Sequence, residues 1–162
     1  MEIETLKTLL AEHPVVAGLD NRYIDLMVGC ATNVRFRAGE YIFREGGSAD
    51  QFYLLRHGRA AIEIYAAERG SLTLMTVGEG EMVGWSWLFP PYRWVFDARA
   101  LELTRAIALD GKCLRQKCEQ DHELGYNLMK RIVQVLEQRL QATRLQVLNL
   151  YDVQPQPVVG AR

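Results

Sequence analysis

The sequence is poor in the residues that build metal centres, disulfide frameworks and catalytic triads. Its three cysteines, Cys30, Cys113 and Cys118, are an odd number without metal-ligand spacing. Cys113 and Cys118 are five residues apart, so on one helix they point about 140° apart. Reduced thiols in a cytoplasmic protein are therefore expected, with Cys30 packed in the core. Of the three histidines only His57 falls in the strand-rich part of the chain, while His13 and His122 belong to helical segments. No metal triad can be assembled from them, and Ser86 has no His or acid arranged around it as a triad. No metal and no catalysis are expected. A net charge of −1 removes the electrostatic case for direct binding to DNA or to a membrane surface. No apolar run approaches the roughly 20 residues needed to span a bilayer. Met1-Glu2-Ile3-Glu4 lacks the basic and apolar opening of a signal peptide.

What is present is a change of periodicity, from helix to strand and back. Ile3, Leu6, Leu9 and Leu10 recur at three- and four-residue spacing, and His13-Pro14 ends that helix. Asp20 or Asn21 can cap a second short helix carrying Tyr23, Ile24, Leu26 and Met27. From Asn33 to about Leu109 the pattern is one of short strands. Val34 and Phe36 alternate with Asn33, Arg35 and Arg37, and Ile62 and Ile64 with Glu63 and Tyr65. Leu72, Leu74 and Thr76 face opposite to Thr73, Met75 and Val77. Glu68-Arg69-Gly70-Ser71 reads as a hairpin turn, and further glycines punctuate the run. This predicts a mainly β fold with flanking α-helices, an antiparallel sandwich or jelly roll. Asp110 is a candidate cap for a helix over Lys112–Gln120, and a second helix runs from near His122 to about Tyr151. The expectation is one domain over residues 1–153, with N-terminal helices over 1–32, a β-roll over 33–109 and C-terminal helices over 110–153. The Pro-rich tail over 154–162 is expected to be flexible.

The last helix carries a heptad seam. Met129, Val133, Leu136, Leu140, Thr143, Val147 and Leu150 are spaced 4-3-4-3-4-3, with Val133, Leu140 and Val147 at a and the other four at d. Val at a and Leu at d favour a parallel two-stranded coiled coil, so a homodimer is expected. Leu128, Ile132, Val135, Leu145 and Leu148 widen the apolar stripe, which leaves a face for the body of the protein as well. Thr143 is the odd member. Its hydroxyl either bonds back to its own helix or addresses a polar ligand beside the dimer axis.

All three tryptophans lie in the run Gly84-Trp85-Ser86-Trp87-Leu88-Phe89-Pro90-Pro91-Tyr92-Arg93-Trp94. Upstream, the segment from Gly39-Glu40 through Glu45-Gly46, Ala49-Asp50, Phe52-Tyr53 and Gly58-Arg59-Ala60 resembles the opening of a cyclic nucleotide-binding domain. Val77-Gly78-Glu79-Gly80-Glu81-Met82-Val83-Gly84 is similar to the strand that leads into that family's phosphate-binding cassette. Arg139-Leu140-Gln141-Ala142-Thr143 and Tyr151-Asp152-Val153 resemble the dimer helix and hinge of catabolite-activator (Crp/Fnr-type) regulators. The resemblance covers roughly residues 10 to 153. It implies the cyclic nucleotide-binding jelly roll, with a ligand site built on Gly84, Trp85, Ser86, Trp87, Arg93, Trp94 and Thr143.

The resemblance also shows what the cassette lacks. In the family a Gly-Glu pair opens a short helix and an Arg precedes the next strand; helix N–H groups and the Arg hold the cyclic phosphate, and the Glu holds the ribose. Gly84 matches the Gly, but Trp85 stands at the Glu position and Trp94 at the Arg position, with Arg93 one residue early. A one-residue shift at a strand end turns a side chain to the other face. Leaving a buried phosphate without its cation costs on the order of 3–5 kcal/mol, roughly two to four decades of affinity. Losing the carboxylate removes another bond worth about 1.5–3 kcal/mol. Thr143 matches the helix residue that meets adenine in cyclic-AMP-responsive relatives, yet Arg144 follows it where a small hydroxyl residue is expected.

The rings of the loop have three readings. They fill their own pocket, they line a cavity for a different aromatic or nucleotide-like ligand with Arg93 or Arg99 as its anion partner, or they form a protein-interaction patch. The expected function is a non-enzymatic sensor or regulatory domain that does not bind cyclic AMP or cyclic GMP in the usual way and has no resident cofactor. The nine residues after Val153 are too few for a helix-turn-helix, so action through a partner protein is expected.

Overall fold

The computed structural model describes residues 2–151. The expected tail over 154–162 and the residues Asp152 and Val153 of the hinge-like segment lie outside the described residues. Two helices, α1 (Glu2–Glu12) and α2 (Asn21–Val28), precede the strands. The strands are β1 (Ala31–Phe36), β2 (Tyr41–Phe43), β3 (Gln51–His57), β4 (Arg59–Ala66), β5 (Gly70–Gly78), β6 (Met82–Val83), β7 (Asp97–Ala100) and β8 (Thr104–Asp110). Helices α3 (Gly111–Gln120) and α4 (His122–Tyr151) follow. The chain divides into two compact units, Met1–Leu128 and Met129–Arg162.

In the first unit the strands form two antiparallel four-stranded sheets, in the orders β1-β8-β3-β6 and β2-β7-β4-β5. This is the mainly β, jelly-roll architecture that the alternation of short strands predicts. Residues pointing between the sheets form the core, among them Phe43, Tyr53, Leu55, Ile62, Val77, Trp94, Phe96 and Ala106. Alternation places Ile62 inward with Ile64 packed beside it, while Leu72 and Leu74 on the edge strand β5 remain partly open to solvent. Where β3 turns into β4 only glycine fits: Gly58 has φ +89°, and a Cβ there would lie 2.5 Å from the Leu103 carbonyl oxygen.

Local chemistry sets the helix starts. The Asp20 carboxylate accepts from Arg22 N at 2.9 Å and begins α2, and the Asp110 carboxylate accepts from Cys113 N at 2.7 Å and begins α3. Both aspartates satisfy N–H groups that have no partner inside their helix.

The cysteine expectation is corrected. Cys30 and Cys113 are joined by a disulfide, with Cα atoms 5.7 Å apart. Cys30 is therefore a cross-link and not only a packing group, and Cys118 is the free thiol. The pairing follows from topology. Cys30 immediately precedes β1, Cys113 lies in the first turn after β8, and β1 and β8 are antiparallel neighbours with Ala31 opposite Leu109. Asp110 N donates to Cys30 O at 2.8 Å, which closes the distance further. Spacing along the chain carries none of this information.

In the second unit the described residues are the helical stretch 129–151. Along its heptad positions Val133 is 60% exposed and Leu140, Val147 and Leu150 are also exposed, while Met129 and Leu136 are half-buried. Among the described residues, four of the seven seam positions, Val133, Leu140, Val147 and Leu150, thus present apolar side chains to solvent. Thr143 Oγ1 donates to Arg139 O at 2.8 Å, the back-bond to its own helix.

Candidate functional site

Gly84 ends the chain's approach to the aromatic loop in a left-handed conformation, φ +85°. A Cβ on it would come 2.5 Å from Trp94 Cζ3 and 3.4 Å from Phe43 Cε1. The hollow above this glycine, where the resemblance puts a phosphate, is thus occupied by the indole of Trp94. That indole lies flat on Phe43, with ring centroids 3.8 Å apart and planes 9° from parallel. Its other edge reaches Gly47, whose Cβ would stand 3.7 Å from Trp94 Cδ1. Trp94 is 4% exposed and belongs to the core.

The backbone explains how the loop delivers that ring. Trp94 O accepts from Gly46 N at 2.8 Å, Trp94 N donates to Gly47 O at 3.0 Å, and Tyr92 O accepts from Ala49 N at 2.8 Å. These three bonds stitch the end of the loop to the turn between β2 and β3. Tyr92 takes a positive φ of 53°, and with the chain so turned Trp94 points inward and Arg93 outward. Arg93 is exposed, and its Nη1 donates to Gly46 O at 3.0 Å. The one-residue offset seen in the sequence therefore persists in the structure, with the Arg93 guanidinium exposed and held by Gly46 O.

Of the other loop residues, Trp85, Ser86 and Trp87 serve packing, while Phe89 is exposed. Trp85, at the carboxylate position of the cassette, meets Phe96 edge to face at 5.2 Å and packs against the core. Ser86 and Trp87 are buried in a single 3-10 turn, Ser86–Leu88. Three residues of 3-10 turn align few peptide dipoles, so they lack the anion-attracting end of a full helix. Trp87 stacks on Phe52 at 5.2 Å, and its Nε1 is buried without a hydrogen-bond partner. Arg115, on α3, braces the loop from outside: its guanidinium donates to Trp87 O and lies 4.0 Å from the Tyr92 ring centroid.

Electrostatics leave little for an anion at this place. Arg99, the other candidate cation, donates through Nε and Nη2 to the two oxygens of Glu63, at 2.8 and 3.3 Å. Glu63 is 4% exposed, so the pair satisfies a buried carboxylate. The buried Asp97 carboxylate accepts from Glu45 N at 2.7 Å and lies 3.6 Å from Arg44 Nε. A cleft of about 460 Å³ adjoins the ring stack, lined by Phe43, Arg44, Ser48, Asp50, Tyr53 and Trp94 among others. Burial and the nearby Asp50 charge push the Tyr53 phenol up to about 12, so it stays a neutral donor. Gly84, Trp85 and Arg93 do not line this cleft.

Gly84, Trp85 and Trp94 are thus brought together around one packed centre, Ser86 and Trp87 are buried beside it, and Arg93 faces away. Thr143 belongs to the second unit. Phe43, Phe96, Arg115 and Glu63 carry much of the arrangement and had no site role in the sequence reading, and Arg99, read there as an anion partner, is instead paired with Glu63. Phe43 stands in the segment that carried the family resemblance, but its place beneath Trp94 depends on how the loop folds back.

The family model of the cyclic nucleotide-binding domain matches residues 33–121. The chain is 25% identical over 142 residues to the CRP-like cAMP-activated global transcriptional regulator of Mycobacterium tuberculosis, covering 88% of this chain and 62% of the relative. It is 26% identical over 107 residues to the anaerobic regulatory protein of Bacillus subtilis, covering 65% of this chain and 45% of that protein. The chain therefore spans less than two thirds of the length of either relative. A cyclic nucleotide-binding domain from Methylobacillus flagellatus has the same fold, with a TM-score of 0.76 at 16% identity over 98% of this chain and 87% of that one.

Proposed function

Because the chain belongs to the cyclic nucleotide-binding domain family and is homologous to Crp/Fnr-type regulators, we propose that it is a non-enzymatic sensor or regulatory domain with a closed cassette. In this reading cyclic AMP and cyclic GMP are not held in the family's usual way. The observation that carries the proposal is the Trp94 indole against Gly84, at 2.5 Å from a hypothetical Cβ. A phosphate at that place would have to displace a ring that is stacked on Phe43 and buried in the core. Burial of such a side chain stabilises the fold by about 1.5–3 kcal/mol, which any ligand would have to exceed. Supporting this, Arg93 is turned outward and Arg99 is engaged by Glu63.

Calorimetric titration with cyclic AMP and with cyclic GMP tests the reading. No low-micromolar binding is expected for either, and such binding would overturn the closed cassette. Trp94→Arg should disturb packing without producing tight nucleotide binding. If tight binding appears, the position has lost a clamp and nothing more.

A second reading is favoured by the cleft of about 460 Å³ that borders the stacked rings. Its aromatic wall and polar rim suit a small aromatic ligand different from a cyclic nucleotide. Saturable quenching of tryptophan fluorescence by such a compound, lost in Tyr53→Ala, is the outcome that selects it. Under either reading the domain works as a homodimer along the α4 seam and passes its state to a partner protein.

A further inference from the structure

We infer that Arg35, Arg56 and Arg105 form a binding site for a phosphate dianion on the outer face of the β1-β8-β3 sheet, separate from the cassette. The three arginines come from three neighbouring strands. Arg35 and Arg105 are direct cross-strand partners on β1 and β8. Arg105 is also in register with His57 on β3, across an irregularity between Leu55 and His57 that leaves Arg56 beside it. On these strands Leu55 and Ala106 point into the core, with Val34 and Phe36 packed against it, so the alternate positions Arg35, Arg56 and Arg105 face outward. Together with Asn33 and Val34 they line a cleft of about 300 Å³.

Two features make this a site and not a solvated charged surface. The first is that none of the three arginines has a carboxylate within ion-pair distance among the described residues, whereas Lys7, Arg22, Arg44, Arg59 and Arg99 are each paired with one. Like charges directly opposite one another on adjacent strands are destabilising. A chain of net charge −1 has acids enough to neutralise such a pair, yet this cleft holds three cations and none. The second is orientation. Arg56 Nη1 donates to Asn33 Oδ1 at 3.1 Å, which directs one guanidinium across the strands toward the other two.

The chemistry selects the ligand class. A guanidinium offers a planar fork of donors that matches two oxygens of a phosphate. Three forks lining one cleft exceed what a carboxylate can accept, and their three positive charges suffice to neutralise a doubly charged oxyanion. The cleft lies at the small end of ligand sites, which suits a phosphate group or a sugar phosphate. The group can arrive as free inorganic phosphate or as a phosphomonoester.

The test is titration of the full chain, at constant ionic strength set with chloride, by inorganic phosphate and by ribose 5-phosphate. Saturable binding with a Kd of about 1 mM or tighter is expected for at least one of them. Arg35→Gln and Arg105→Gln should each weaken it about tenfold or more, with melting temperature kept or raised because opposed like charges are relieved. Should Arg105→Gln fail to fold, Arg35→Gln, on an edge strand, carries the same reading. Tighter binding of ribose 5-phosphate identifies a phosphomonoester ligand, and equal binding identifies free phosphate. Absence of saturation, or affinity unchanged in the variants, overturns the site. Binding of a DNA duplex through these arginines without saturable phosphate binding also overturns it, in favour of a nucleic-acid contact.

Discussion

Phe43 and Trp94 lie ring over ring with centroids 3.8 Å apart, and together they close the space above Gly84. Trp94→Ala should destabilise the fold by about 3–5 kcal/mol, the range for truncating a large buried aromatic. Phe43→Ala should fall in the same range. A double-mutant cycle followed by urea unfolding should give a coupling of about 0.5–1.5 kcal/mol between them. A coupling of zero would mean that the stack contributes area and no specific contact.

His13 gives the fold a defined response to acid. It is buried, with Nε2 2.8 Å from Leu55 O and Nδ1 3.3 Å from Val15 N. A carbonyl only accepts and an amide N–H only donates, so Nε2 carries the proton and Nδ1 is bare. Burial holds the imidazolium below its ordinary value of 6.5. The unfolded chain then binds the proton more readily than the folded one. Stability from this residue is present above pH 6.5 and is lost as pH falls through the lower folded value. The urea midpoint should drop between about pH 7 and pH 5, and His13→Gln should flatten that drop. Equal slopes in both proteins would exclude His13 as the cause.

The Cys30–Cys113 bond can be counted chemically. Denatured without reductant, the protein should show one reactive thiol, Cys118, and three after reduction. In the native state that one thiol should react slowly, because burial, Glu119 and Asp121 raise its pKa. Cys30→Ser or Cys113→Ser should cost about 2–5 kcal/mol. Three reactive thiols before reduction would contradict the cross-link.

The seam of α4 predicts its own disruption. Leu136→Glu and Leu140→Glu place charge at d and a positions and should yield monomers in analytical ultracentrifugation. A wild-type protein that already sediments as a monomer would refute the seam.

Much of the architecture was legible because it is written in local patterns. Alternation marked β1, β4 and β5, the Glu68–Ser71 turn marked the β4–β5 hairpin, and Asp20 and Asp110 were readable as caps. What local patterns cannot carry is pairing between segments far apart in sequence. The cross-link of Cys30 to Cys113, the burial of Glu63 against Arg99, and the juxtaposition of Arg35 with Arg105 all depend on which strand lies beside which. The site divides along the same line. Alignment placed Trp94 at the cassette cation's position, but its seat on Gly84 follows from the left-handed turn at Tyr92 and three backbone bonds to the β2–β3 turn.

The bond between Cys30 and Cys113 also changes the topology of the molecule as a polymer. Every strand, from Ala31 to Asp110, lies between the two bridged residues, so both sheets sit inside one covalent ring. Helices α1 and α2 and most of the C-terminal segment are branches leaving that ring. A protease that cuts the exposed Phe89-Pro90-Pro91 tip would open the ring without releasing a fragment. The nicked protein would run as one species until reductant separates it into two.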